Sequence, residues 1–359
     1  MKQGKTLQEL ALEIKRQSEV KKDYLADTRV LEMVPSENGM DMRINGTDNT
    51  FLIGETAHGQ LAQYTEIPNR YYEKMMYRSP ELLAENVNHW LQSSDGTSRM
   101  LRTLDGGLRA FLSERYRRID NEQVAEAVLP IIGNMPGAQV KSCEITERRL
   151  YIKVVNPRIQ AEVTKGDIVQ SGLMISNSEI GLGRVSVVPL IYRLVCTNGM
   201  IAADNSLAAI RKNHIGRTNE SNEDYTVYRD ETIIAEEKAF VMKLQDSVQA
   251  AMDEAQFIQM SEMMRSTKEA KIESKTVPKV VELTAKRVGI TQYESSGVLG
   301  HLIEGGDLSL YGLANAATRY AQDVSCYDRS TELEAIGYKI LTIAPKIWKG
   351  ILSEARKAV

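Results

Sequence analysis

The amino-acid sequence predicts an α+β fold: a central antiparallel β-sheet over about residues 138–203, flanked by N-terminal and C-terminal helices. Three observations lead there. Apolar residues recur at helical spacing before about residue 138 and after about 223. Between those limits the period drops to two, the period of strands. Helices, strands and helices also follow one another in blocks, unlike the alternation of βαβ units. The chain accordingly divides into an N-terminal helix and hairpin arm (1–50), a core α+β unit holding the sheet (51–222) and a helical C-terminal region packing on it (223–359).

In the arm, residues 5–25 read as a helix with Leu7, Leu10, Ala11 and Ile14 on one face. Turn formers crowd 34–50, where "RINGT" is an Asn-Gly hairpin signal. Residues 55–95 are helical in pieces. Pro68 opens one piece; Ser79 caps the next, with Pro80 at its first position and Glu81 in its first turn. "RMLRTLDGGLRAFLSERYRRID" then mixes apolar and basic residues around a Gly-Gly pair. The helix after it is capped by Asp120, with Gln123 three residues on and Val124, Ala127, Val128, Ile131 and Ile132 along one face.

Strand alternation is plain in "RRLYIKVVN", where Leu150, Ile152 and Val154 face one side and Tyr151 and Lys153 the other. Gly181 and Gly183 mark a hairpin, and Pro189 marks an edge or a bulge. "RLVCTNGM" (193–200) reads as a strand running into an Asn198-Gly199 turn, with Cys196 buried as a small apolar residue and Arg193 on the opposite face. From 230 to 264 a single long amphipathic helix is expected, with Ile234, Val241, Leu244, Val248 and Met252 as its stripe. A polar break at "KEAKIESKTVPK" separates it from later helices, the last marked by Leu333, Ile336, Ile340, Ile347 and Ile351.

Composition bounds the function. The chain has 359 residues, 42% hydrophobic and 26% charged, which places it in the soluble globular class. A net charge of -3 neither names nor excludes a polyanion partner, because a basic face can sit on a neutral protein. Three cysteines make no disulfide framework, so a reducing cytoplasm is expected. The N-terminal stretch has no apolar signal-like segment, and no apolar run is long enough to span a bilayer, so no membrane partner is expected.

His58, His89, His214, His301, Cys143, Cys196 and Cys326 show none of the paired spacings of zinc sites. No Gly-rich phosphate loop and no GxSxG elbow occurs. No metal or cofactor is therefore expected. A Cys196–His214 pair is the one conceivable nucleophile arrangement. The basic segments are more informative. Between Arg99 and Asn121 there are six arginines against Asp105, Glu114 and Asp120. Arg115, Arg117 and Arg118 surround Tyr116, with Arg109 upstream, and a second group follows the sheet: Arg211, Lys212, His214 and Arg217. Arginine beside an aromatic ring suits a sequence-tolerant single strand, the cation taking phosphate and the ring stacking a base.

Several stretches together resemble phage/plasmid-like proteins of domain-of-unknown-function family 932. These are "AHGQLAQYTEIPNRYYEKM", "ELLAENVNHWL", "RTLDGGLRAFLSERYRRIDNEQV", "GDIVQSGLMISNSEIGLGRVSV" with "YRLVCTNGM", "RKNHIG", "LYGLANAATRYAQD" and "LEAIGYKIL". The resemblance spans roughly 55–345 and implies a mobile-element protein of the bacterial host cytoplasm. At the level of fold analogy alone it is similar to single-strand annealing proteins of the Rad52-like or RecT-like kind. That analogy implies an ATP-independent ring or filament of identical chains that binds single-stranded nucleic acid, DNA rather than RNA, and assists annealing or recombination. Two other readings stay open. One is a non-enzymatic interaction factor acting against host defence or in phage assembly; the other is an enzyme using Cys196 or His214.

Overall fold

The first helix is shorter than its periodicity implies. Thr6 and Glu9 close a capping box on α1 (Leu7–Val20), and the chain then turns into strand β1 (Lys22–Asp27). A computed structural model of the chain describes residues 1–93, 96–183, 185–202, 211–212 and 230–358. Strands β2 (Leu31–Ser36), β3 (Gly39–Ile44) and β4 (Thr50–Ile53) follow β1, and the hairpin signal at "RINGT" falls between β3 and β4. Helices α2 (Glu55–Tyr64), α3 (Asn69–Arg78) and α4 (Pro80–Ser93) come next, in the pieces expected, before β5 (Ser98–Leu104) and β6 (Gly107–Ser113).

These six strands form a sheet that the sequence reading did not anticipate, in the order β1-β5-β6-β4-β3-β2. Only the β4–β6 pair is parallel. Asp105 and Gly106, both at positive φ, make the two-residue turn between β5 and β6, where Leu104 pairs with Gly107. Leu31, Met33, Met42, Phe51, Leu101 and Phe111 on one face pack against Leu61, Leu83 and Val87 of the helices. At the β2 edge, the Asn88 amide of α4 pairs with the Met33 backbone as a strand would, at 2.6 and 2.8 Å. The arm and the segment 98–113 thus share one hydrogen-bonded sheet.

The second sheet is the one expected. After α5 (Asn121–Asn134), with the Asp120–Gln123 capping box in place, come β7 (Gln139–Ile145), β8 (Leu150–Thr164), β9 (Asp167–Asn177), β10 (Val185–Arg193) and β11 (Asn198–Ile201). All pair antiparallel in the order β11-β10-β9-β8-β7, and a two-residue strand β12 (Arg211–Lys212) pairs with the start of β10. Pro189 sits at the end of the β10–β11 pairing, where its carbonyl accepts from the Ala202 N–H at 2.9 Å and its missing N–H leaves the ladder one bond short at that end.

Helices cover both faces of this sheet. Leu150, Ile152 and Val154 pack with α1, α5 and α6 (Asp230–Ala250). The other face meets α7 (Glu254–Lys268), α8 (Val277–Val288), α9 (Gln292–Gly305), α10 (Leu310–Tyr320), α11 (Tyr327–Leu341) and α12 (Pro345–Lys357), or the core they form. The expected single helix over 230–264 is two, because the Asp253 side chain accepts from the Gln256 N–H and starts α7 afresh. Met252, Met260 and Met264 fill the core.

Because the second face is covered there, the first half of β8, residues 150–156, has no wet side. Lys153 is fully buried, donating to Glu334 Oε2 at 2.6 Å and to Thr331 Oγ1 at 3.0 Å, both on α11. Breaking one member of such a pair strands the other charge in an apolar setting, which costs about 3–5 kcal/mol. Lys153→Met alone should therefore lower the urea midpoint far more than Lys153→Met with Glu334→Leu, a contrast that equilibrium denaturation will read. On the same flank Arg329 grips Glu294 at 2.7 Å, and this, outweighing partial burial, holds that carboxyl down to about 2. Its folded value lies below its unfolded one, so the stabilisation is complete above the ordinary glutamate range and fades as pH falls toward about 2. The stability gap between wild type and Glu294→Gln should shrink over that window in acid unfolding curves.

Candidate nucleic-acid interface

The β5–β6 hairpin presents Arg102 and Arg109, and the chain then leaves β6 through the turn Glu114–Ile119 into the Asp120 cap of α5. Across this hairpin lies the loop joining β9 to β10. Gln60 of α2 pins it there, donating to the Ile180 carbonyl at 2.8 Å while accepting from the Phe111 N–H at 2.7 Å. Gly181 has φ +79°, and a Cβ there would lie 2.7 Å from Leu112. The loop needs a glycine at this approach.

Tyr116 fills the space beneath. Its ring packs with Ala110, Leu112 and Ile180, it is 9% exposed, and its hydroxyl donates to the Ser178 carbonyl at 3.3 Å. Burial pushes the phenol above its ordinary range. A ring enclosed on both sides offers no face to a base, which corrects the expectation that Tyr116 stacks nucleic acid. It is instead the support on which the neighbouring arginines stand.

Those arginines differ in what holds them. Arg109 is tied at 3.2 Å to Glu179, whose carboxylate is almost wholly buried and also accepts the Asn121 N–H at 2.8 Å. Arg102 is buried too. It reaches Asp23 at 2.8 Å, Asp120 at 2.7 Å and the Glu179 carbonyl at 2.9 Å. Lys21 joins Asp120 and Glu179 at 2.8 and 3.4 Å. Burial opposes the Asp120 charge, but Arg102 and Lys21 outweigh it and hold the carboxyl below its ordinary range. Arg118 shares Asp23 at 3.2 Å and is 58% exposed. Arg115 is exposed, and Arg117 is half-buried.

Arg117 and Arg118 line one wall of a groove of about 430 Å³, with Gln123 and Glu126 beside them and Lys238 and Gln245 of α6 opposite. β12 lies at the foot of the same loop, Lys212 opposite Val185 and Arg211 opposite Ser186. The structure therefore brings Arg109, Arg115, Arg117 and Arg118 and the strand of Arg211 and Lys212 to one end of the second sheet. Arg217 and His214 lie outside the described residues. Lys238, Glu179 and Lys21 were not singled out from sequence, because each joins the cluster only through long-range packing.

The stretch "RLVCTNGM" folds differently from its reading. The turn is 194–197, with Thr197 at φ +50°, and Asn198-Gly199 already belongs to β11. Arg193, held by Asp167 at 2.6 Å, and Asn198, bonded to Thr318, set the hairpin register two residues early. The turn carries Cys196 back to Arg193, which donates to its sulfur at 3.3 Å, and leaves the thiol half-buried. It lines a cleft of about 240 Å³ with His301, Tyr311, Asn315 and Arg319. His301 is itself held by Asp323 at 2.6 Å. Among the described residues no group of His, Cys, Asp or Glu could hold a metal ion.

Residues 110–334 match the family described as "Domain of unknown function (DUF932)", well over half of the chain. No curated protein and no solved structure matches it. No helix among the described residues is long and apolar enough to cross a membrane.

The buried network predicts its own test. Glu179→Gln removes the charge that faces Lys21 and Arg109 and should cost about 3 kcal/mol or more in denaturant unfolding. Arg115→Ala, on the exposed rim, should stay within about 0.5 kcal/mol of wild type.

Proposed function

The chain belongs to the DUF932 family, and from that premise we propose that it binds single-stranded nucleic acid, DNA before RNA, without ATP, and as a homo-oligomer assists annealing or recombination. The observation that carries this reading is the convergence of two basic segments, far apart in sequence, around one loop at the end of the second sheet. Arg115, Arg117 and Arg118 and the backbone strand of Arg211 and Lys212 flank that loop, and Lys238 stands across the groove. In this reading the guanidinium groups take phosphate oxygens, as planar, permanently charged donors do well. Arg102 and Arg109 are structural, and Tyr116 holds the turn in place.

Self-association has a candidate surface. Among the described residues β1 pairs with β5 alone and is an edge of its sheet, and Leu25 on it is 65% exposed. The opposite edge is the one that Asn88 blocks. An open edge with an exposed apolar side chain is a template for pairing with a second chain. Leu25→Lys should lower the mass measured by light scattering.

The binding test is a salt titration. Counterion release makes the logarithm of affinity fall with the logarithm of salt concentration, with a slope of about 0.7 per phosphate contact on single strands. Arg115→Gln, Arg117→Gln and Arg118→Gln together should weaken oligonucleotide binding and flatten the salt slope by about 2. Unchanged affinity and slope at about 50 mM salt, with the variant folded, would remove these residues from the interface.

A further inference from the structure

The stacking partner that Tyr116 cannot be has a better candidate on the first sheet's helices. α3 is the ten-residue sequence "NRYYEKMMYR". Its buried side is short: Tyr72 and Met75 are at most 3% exposed, and the Tyr72 hydroxyl meets His58 Nδ1 at 2.8 Å. At about 100° per residue, Tyr77, Arg70, Lys74, Arg78 and Tyr71 follow one another in that order around the opposite side, within about 120°. All five are exposed; Tyr77 is 81% and Tyr71 48% accessible. Arg70, Lys74 and Arg78 lie four residues apart on one line, about 6 Å per step along the axis. That step is comparable to the phosphate repeat of an extended single strand.

What sets this face apart is that its charges are uncommitted. Arg102, Arg109 and Arg118 are each held by a carboxylate, whereas none of Arg70, Lys74 and Arg78 has an ion pair among the described residues. Glu73 is the one acid of α3 and lies at the margin of the face. Exposed tyrosine is also costly to leave in water, since a ring is a large apolar surface with one polar tip. Two such rings flanking three free cations match a ligand with alternating charge and flat aromatic surface.

We propose that this face of α3 is a single-strand contact site, with Arg70, Lys74 and Arg78 on successive phosphates and Tyr71 and Tyr77 stacking bases. It rests on the reading of the chain as a nucleic-acid-binding protein and supplies the stacking that reading lacked. A lipid surface fits less well: the apolar side of α3 is already packed, so it has no aliphatic stripe to insert.

The test uses the full chain and a fluorescent oligothymidylate, read by anisotropy. Tyr71→Ala with Tyr77→Ala should weaken binding about 25-fold or more and leave the salt slope unchanged, since stacking carries no counterions. Tyr71→Phe with Tyr77→Phe should bind within about 2-fold of wild type, because a ring is enough. Arg70→Gln, Lys74→Gln and Arg78→Gln together should flatten the slope by about 2. If wild type binds and the double alanine variant binds equally well, the α3 site is wrong and the broader reading stands. If wild type binds no oligonucleotide, both fall. Binding to phosphatidylserine vesicles in place of the oligonucleotide, lost in the double alanine variant, would overturn the site in favour of a membrane.

Discussion

One buried cluster of charges decides how the two sheets of this protein meet. Glu179 sits in the loop between β9 and β10, and its carboxylate faces Arg109 of the first sheet, Lys21 at the end of α1 and the N–H that opens α5. Arg102 completes the knot by joining Asp23 of β1 to Asp120, the cap of α5, and to the Glu179 backbone. Four cations and three carboxylates are brought together by segments that span residues 21 to 179. Such a cluster adds little net stability over apolar packing, because every charge must be stripped of water. Its effect is on specificity. A slipped loop or a misplaced helix would leave at least one of these groups buried and unpaired, so only one docking of sheet on sheet satisfies them all.

That constraint also sorts the protein's cations. Forty-five lysines and arginines against forty-eight acids suggest a surface with no preference for polyanions. The count misleads because it takes no account of where each cation sits or what holds it. Arg102 and Lys153 are buried, and Arg193 is clasped by Asp167. What a phosphate backbone can meet is only the remainder, and the remainder is uneven: the rim of Arg115 and Arg118, the groove under Lys238, and the unpaired line along α3. A ligand that needs several contacts a few ångströms apart responds to that local density and not to the sum.

How much of this could be read beforehand depends on whether the determining contacts are local. The second sheet and the Asp120–Gln123 box are written in spacings of two to four residues, and they appear where the sequence places them, whereas the two long helices expected over 230–264 and across Leu333 to Ile351 each break in two, at the Asp253 cap and before Pro345. The first sheet is not written that way. Its strands are four to seven residues long and pair out of chain order, β1 with β5 and β4 with β6, across the three helices between them. Its local signs were two turns, Asn45-Gly46 between β3 and β4 and Asp105-Gly106, the latter hidden in a basic stretch. Tyr116 failed as a binding residue for the same reason. Its burial depends on Ser178 and Ile180, sixty residues downstream, which no window around "SERYRRID" contains.

The two tyrosine environments show what a composition-level argument lacks. "RYRR" and "NRYYEKMMYR" look alike as strings, each an aromatic among cations. In the first, the ring continues the apolar face of a strand and a loop closes over it, so the cations around it become its lid. In the second, helical geometry turns Tyr71 and Tyr77 off the packed side, and they stay 48% and 81% exposed. A ring's availability is therefore set by the element that carries it. An aromatic in a turn that leads off a sheet is drawn into the core, because its area is the largest apolar surface within reach. On a ten-residue helix with a single buried stripe, the rings off that stripe have nowhere to go but solvent or a partner.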